Sequence, residues 1–171
     1  TLVGAGLAVA GTLLQGLSRN DLASPATVGV EAGSGLGLMF LIVALPMAAA
    51  RHPLLAPLAS ILGALAIAAV VFSLAYRNGS ILPARLLLVG IAVGYAVQAA
   101  MLLLSLRMNY VTYSYVLNWM SGSLSAADWT GVWMLAIPLG LVAVVAYGKT
   151  QLLNVMAIGD EAAASLGVAV Q

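Results

Sequence analysis

Charge is sparse along this chain and falls at isolated points. The charged residues are Arg19, Asp21, Glu31, Arg51, Arg77, Arg85, Arg107, Asp128, Lys149, Asp160 and Glu161, and long stretches between them carry none. A helix that crosses a hydrocarbon core of about 30 Å needs about 20 mainly apolar residues at about 1.5 Å each. Five stretches meet or approach that length: 2–17, 28–48, 54–76, 85–106 and 130–147. The pattern therefore predicts an all-α, polytopic transmembrane helical bundle with about five spanning helices.

One charge-free stretch, 108–127, reads differently. It holds Asn109, Thr112, Ser114, Asn118, Ser121, Ser123 and Ser125, with Tyr110, Tyr113, Tyr115 and Trp119 among them. Unpartnered hydroxyls and amides in hydrocarbon cost several kcal/mol each. Tyrosine and tryptophan instead favour the membrane–water interface. The expectation is an extramembrane loop with a short interfacial helix near residues 113–120.

Composition agrees with a bilayer as solvent. Of 171 residues, 63% are hydrophobic and 6% charged, against about 25% charged in a soluble domain. The net charge of +1 offers no nucleic-acid surface. With no cysteine, disulfides and thiolate metal sites are excluded. The opening residues lack both a starting Met and a basic leader, so they read as the interior of a longer protein.

Five alternating spans place Arg19, Arg77, Arg85 and Lys149 on one side, and Arg51 and Arg107 on the other. The excess of basic residues assigns the first side to the cytosol. The polar aromatic loop then faces outward and the tail inward. Two units follow: transmembrane helices over 1–148 and a cytosolic loop over 149–171. Within the tail, Asp160 and Glu161 suit the N-terminus of a short helix, 160–166, which Gly167 would stop.

Candidate chemistry is thin. Gly29, Gly33 and Gly37 have the GxxxG spacing that lets helices approach closely, either for packing or at a pathway or dimer seam. Glu31 is either an intramembrane acid, hence a functional candidate, or an interfacial residue following the polar loop 18–27. Gln15 and Gln98 are lone amides within spans, suited to interhelical hydrogen bonds or to ligand contact. His52, the one histidine, sits beside Arg51 and Pro53 with no nearby acid and makes a poor metal ligand. Pro46 and Pro138 predict kinks, either for gating or for shape alone. There is no catalytic triad, HExxH or phosphate-binding GxxxxGK[ST] loop, so no enzymatic centre and no nucleotide site of the chain's own. The tail helix could be a solvated cap, or could seat its small alanine face in a groove on a soluble partner.

Four segments in order resemble the FecCD family of ABC importer permeases for iron-siderophores, haem and cobalamin. The first, 10–37, reads AGTLLQGLSRNDLASPATVGVEAGSGLG, in which Gln15, Asn20, Leu22, Ala23, Pro25, Gly29, Val30 and Gly33 fit the family's pattern. The others are RLLLVGIAVG at 85–94, WMSGSLSAADW at 119–129 and LNVMAIGDEAAASLGV at 153–168. Asp21 stands where the family usually has Pro, and Glu31 where it usually has Ser or another small residue.

The resemblance implies an internal piece of one permease subunit of roughly ten helices, in the bacterial inner membrane. It implies an ATP-driven importer of an iron-siderophore or related metal chelate. The chain itself would bind no cofactor or metal, because a separate nucleotide-binding ATPase subunit would use the ATP. Gly159, Asp160, Glu161, Ala163, Leu166 and Gly167 would form the element that couples to that ATPase. Gln15, Asn20, Glu31 and Gly33 would lie near the pathway or in its packing. The loop bearing Tyr113, Trp119 and Gly122 would face a periplasmic or lipid-anchored substrate-binding protein. A second permease unit, as homodimer or fused half, would complete the path. The competing reading is a proton- or ion-coupled secondary transporter using Glu31, and a third is a non-transporting scaffold.

Overall fold

The computed structural model describes residues 1–18, 20–21, 23–52, 54–77, 79–122 and 129–150. Its helices are α1 (Leu2–Ser18), α2 (Val30–Ala44), α3 (Pro46–Arg51), α4 (Leu55–Ala75), α5 (Pro83–Ser105), α6 (Tyr110–Ser121) and α7 (Trp129–Gly148). A single 3-10 turn, Pro25–Val28, precedes α2. Among the described residues, three helices are long and apolar enough to cross a membrane: α4, α5 and α7. The other two expected spans are shorter apolar helices, Leu2–Gly16 and Val30–Ala44.

The second span differs most from its expected 28–48. Helix α2 stops at Ala44, and Leu45 leaves helical geometry at φ −135° and ψ 58°. The cause is Pro46, whose ring disfavours the α conformation in the residue before it and which has no N–H to continue the ladder. Pro46 then starts α3, where a missing N–H costs nothing. Pro138, by contrast, lies inside α7 without ending it.

Contacts divide the chain into two compact units, one built on α1 and α7, the other spanning Ala26–Ser123. In the first, Leu139 of α7 packs over Gly6 of α1. In the second, α2 is the centre and touches α4, α5, α3 and α6. Its core comprises Leu38, Met39 and Ile42 of α2, Ala56 of α4 and Val116 of α6, flanked by Met101, Leu104, Met108 and Trp119. A small antiparallel hairpin, β1 (Tyr76–Arg77) and β2 (Ser80–Ile81), joins α4 to α5. The hairpin was not expected. In sequence the strands are separated by Asn-Gly, the commonest two-residue hairpin signal, and Gly79 takes φ +83°.

Two close approaches set the α2 packing. A Cβ on Gly33 would lie 2.7 Å from the Gly63 carbonyl oxygen and 2.8 Å from the Ile67 side chain. A Cβ on Gly37 would strike the Ala59 carbonyl and lie 3.0 Å from the Gly63 Cα. As numbers rise along α2 they fall along α4, so the two run antiparallel. Gly29 turns instead to α5, where its Cβ would meet the Gly90 oxygen at 3.0 Å and the Gly94 Cα at 3.4 Å. The apparent run of three GxxxG glycines therefore serves two partners: Gly33 and Gly37 face α4, and Gly29 faces α5.

Candidate functional site

The loop between α1 and the 3-10 turn is tied to its own helix. Gln15 donates from Nε2 to the backbone oxygen of Asp21 at 2.8 Å. The Asn20 N–H reaches the Gln15 oxygen at 3.3 Å, and the Ala23 N–H reaches the Asn20 oxygen at 3.0 Å. In apolar surroundings such backbone groups need partners. Gln15 thus clamps the polar loop to the end of α1, a local bond rather than the interhelical one its position suggested. Gln98 lies exposed on α5.

The second unit fixes how deep α2 begins. Gly63 stands eight residues after the start of α4 and twelve before its end. Gly94 stands eleven residues from either end of α5. At 1.5 Å per residue these positions lie about 12–18 Å from the helix ends. Gly33 is level with Gly63–Ile67, and Gly29 with Gly90–Gly94. Helix α2 therefore starts near the mid-level of both neighbours, not at their ends. Gly29, at φ +76°, makes the turn into it, a conformation that suits a residue with no Cβ.

Glu31 follows directly, in the first turn of α2 and exposed. Its carboxylate complements the partial positive charge of the helix N-terminus. It has no hydrogen bond or ion pair among the described residues. Glu31 is the sole acidic residue of the Ala26–Ser123 unit. It stands near the mid-level of α4 and α5, the two long apolar helices beside it. Gly33, two residues on, belongs to the seam with α4.

The opposite end of this unit carries α6. Asn109 caps it, its Oδ1 accepting from the Thr112 N–H at 2.8 Å. The cap extends the helix to Tyr110–Ser121, longer than the expected 113–120. Val116 is buried at 1% exposure, and the Met120 and Met101 methyl groups close over Gly35. Trp119 packs against the core, and Tyr113 is 37% exposed. Of the three tyrosines of α6, Tyr110 at 84% and Tyr115 at 53% present the most surface. Gly122 ends the helix at φ +74°, its N–H donating to the Trp119 oxygen at 3.2 Å. Helical spacing separates these roles only in part: Tyr110 falls opposite the face of Val116 and Trp119, whereas Tyr115, four residues before Trp119, lies at that face's edge.

The ends of the unit also sort the charges. Arg77 lies in the hairpin and Arg85 in the first turn of α5, both at one end. Arg51, the last residue of α3, and Arg107, just after α5, lie at the other end. This matches the alternation expected for 51, 77, 85 and 107. His52 is exposed, and no group of three metal-ligating side chains occurs among the described residues. The anticipated coupling residues Gly159, Asp160, Glu161, Ala163, Leu166 and Gly167 lie outside the described residues.

Comparison with known proteins gives consistent matches. The FecCD transport family model matches residues 1–171. The chain is 33% identical to the iron(3+)-hydroxamate import system permease protein FhuG of Bacillus subtilis (strain 168), over 99% of this chain and 52% of that one. It is 38% identical to the Fe(3+)-citrate import system permease protein YfmE of the same organism, over 97% and 48%. Identity to the hemin transport system permease protein HmuU of Yersinia pestis is 34%, over 99% and 51%. The chain spans about half the length of these curated relatives. It also superposes on the inward-facing structure of a transporter assigned to the metal-chelate ABC type, with TM-score 0.84 and 26% identity, covering 98% of this chain and 52% of that one.

Proposed function

This chain belongs to the FecCD transport family, and from that membership we propose that it forms about half of a permease subunit in an ATP-driven importer of an iron-siderophore or related metal chelate. The observation that carries the reading is the family match along the whole chain, 1–171. The relatives named for hydroxamate, citrate and haemin import support the substrate class.

In this reading the chain moves substrate and does no covalent chemistry. ATP is hydrolysed on a separate nucleotide-binding subunit. Force enters through the segment 159–167, where Asp160 and Glu161 meet basic or amide donors on that ATPase. A second permease unit, a homodimer partner or a fused half, supplies the other wall of the path. Helix α6 faces the periplasm of the inner membrane, and its exposed Tyr110, Tyr113 and Tyr115 present the surface a substrate-binding protein meets. Trp119 serves chiefly to hold α6 on the core, and Gly122 to turn the chain after it. The seam of Gly33, Gly37 and Gly63 gives α2 and α4 the rigid contact that rocking between two openings requires.

Reconstitution tests this. Proteoliposomes holding the full-length subunit, its ATPase and its binding protein should accumulate chelate only with ATP. Removing residues 160–167 should leave ATP hydrolysis uncoupled from uptake. Uptake that follows a proton gradient and needs no ATPase would sink the proposal in favour of secondary transport.

A further inference from the structure

Glu31 stands near the mid-level of the helices around it, and a carboxylate at that depth has few permissible surroundings. The depth comes from two independent neighbours. Gly33 faces Gly63 and Ile67 at the middle of α4, and Gly29 faces Gly90 and Gly94 approaching the middle of α5. Glu31 lies between those two glycines in sequence. An ionised side chain that deep cannot face lipid; it faces a protein interior or a water-filled cavity. Glu31 is exposed, with no hydrogen bond or ion pair among the described residues. It also shares a helix face with Gly35, Leu38 and Ile42, which α6 with its Met120, and Met101 of α5, cover one turn and more above it. The α2 surface that opens into the purely apolar groove against α4, at Phe40 and Ala44, is the other side of the helix. Glu31 therefore opens below the α6 cover and away from that apolar groove.

We infer that Glu31 lines a water-filled part of the substrate path and biases it toward cationic groups, so that chelates bearing protonated amines pass in preference to carboxylate-rich ones. The water access is argued from depth and from exposure within this chain, and the labelling below separates water from cover by the rest of the subunit. The substrate preference rests in addition on the importer reading. The charge logic is direct: no other acid lies in the Ala26–Ser123 unit, and the unit's arginines 51, 77, 85 and 107 lie at its two ends, away from this level. A fixed negative charge there attracts a cation and repels an anion, which confers selectivity more than affinity.

The chain contains no cysteine, so single introduced cysteines in a full-length subunit, with any others replaced, report access directly. Glu31→Cys should react with a membrane-impermeant thiosulfonate at least tenfold faster than Leu65→Cys, which sits at the same depth on the outward face of α4 at 61% exposure. Equal or absent labelling would overturn the water access. Ser34→Cys lies one turn along α2 and reads the charge: it should favour a cationic over an anionic thiosulfonate by roughly fivefold, the scale of one partly solvated charge contact. Adding Glu31→Gln should abolish that preference; a preference that survives overturns the charge assignment. Finally, Glu31→Gln should lower the uptake ratio of an amine-bearing over a carboxylate-bearing chelate by a similar factor. An unchanged ratio alongside ATP-dependent uptake overturns the substrate preference. Uptake that needs no ATPase overturns the importer reading, while both labelling results keep their force.

Discussion

Replacing Gly63 by alanine adds a single methyl group at the narrowest point of the molecule's best-packed seam. A Cβ there would collide with the Gly33 carbonyl oxygen and lie 2.8 Å from the Gly37 Cα and 2.9 Å from its nitrogen. All three are backbone atoms on α2, so no side chain can rotate away. Ordinary contact begins at 3.4 Å, and the helices must part by about 0.6 Å or more. Two effects oppose one another. In a helix interior, alanine is favoured over glycine by about 1 kcal/mol. Overpacking costs about 1–3 kcal/mol, and the upper half of that range applies where the obstacle is backbone.

The net expectation for Gly63→Ala is a loss of about 1–2 kcal/mol, with weakened α2–α4 association. Gly140→Ala on α7 supplies the control. No atom lies within 4 Å of its Cβ position, so the propensity gain stands alone and stability should hold or rise by up to about 1 kcal/mol. Denaturant titration of the purified full-length subunit in micelles, followed by far-UV circular dichroism, compares the two on one scale. Cysteine pairs placed across α2 and α4 would show whether the seam itself has opened. The reasoning fails if Gly63→Ala is as stable as the parent, or if both substitutions cost the same.

Three further outcomes follow from individual side chains. Ser60 is buried at 5% exposure, and its hydroxyl has no hydrogen-bond partner; since such a group costs about 1–3 kcal/mol, Ser60→Ala should raise the denaturation midpoint, and a fall would mean that the hydroxyl is satisfied. Asn109→Ala removes the cap of α6, which should cost about 1 kcal/mol and speed amide exchange in residues 110–113 while leaving α4 unaffected. Gln15→Leu keeps the side chain's bulk but loses the bond to the Asp21 carbonyl, worth about 0.5–1.5 kcal/mol; exchange at Asn20, Asp21 and Ala23 should quicken, and unchanged protection there would remove the clamp.

The parts legible in the sequence were those set by the solvent, and the parts that were not were set by register between helices. Hydrocarbon thickness and charge placement located α4, α5 and α7 within a few residues, because a span is recognised by counting. The break at Leu45 was harder to see, since hydrophobicity runs through it undiminished and only Pro46 marks it. The glycines show the limit most clearly. Gly29, Gly33 and Gly37 form one unbroken motif in the chain, yet the fold splits them between α5 and α4. That division decides how far α2 is raised against its neighbours, and so whether Glu31 lies at a membrane surface or near the middle. Spacing along one helix states which residues share a face, but not which residues of another helix they meet. Glu31 could thus be singled out from sequence as the one acid of its unit, while its level against α4 and α5 is a property of the pairing of Gly33 with Gly63 and of Gly29 with Gly90 and Gly94.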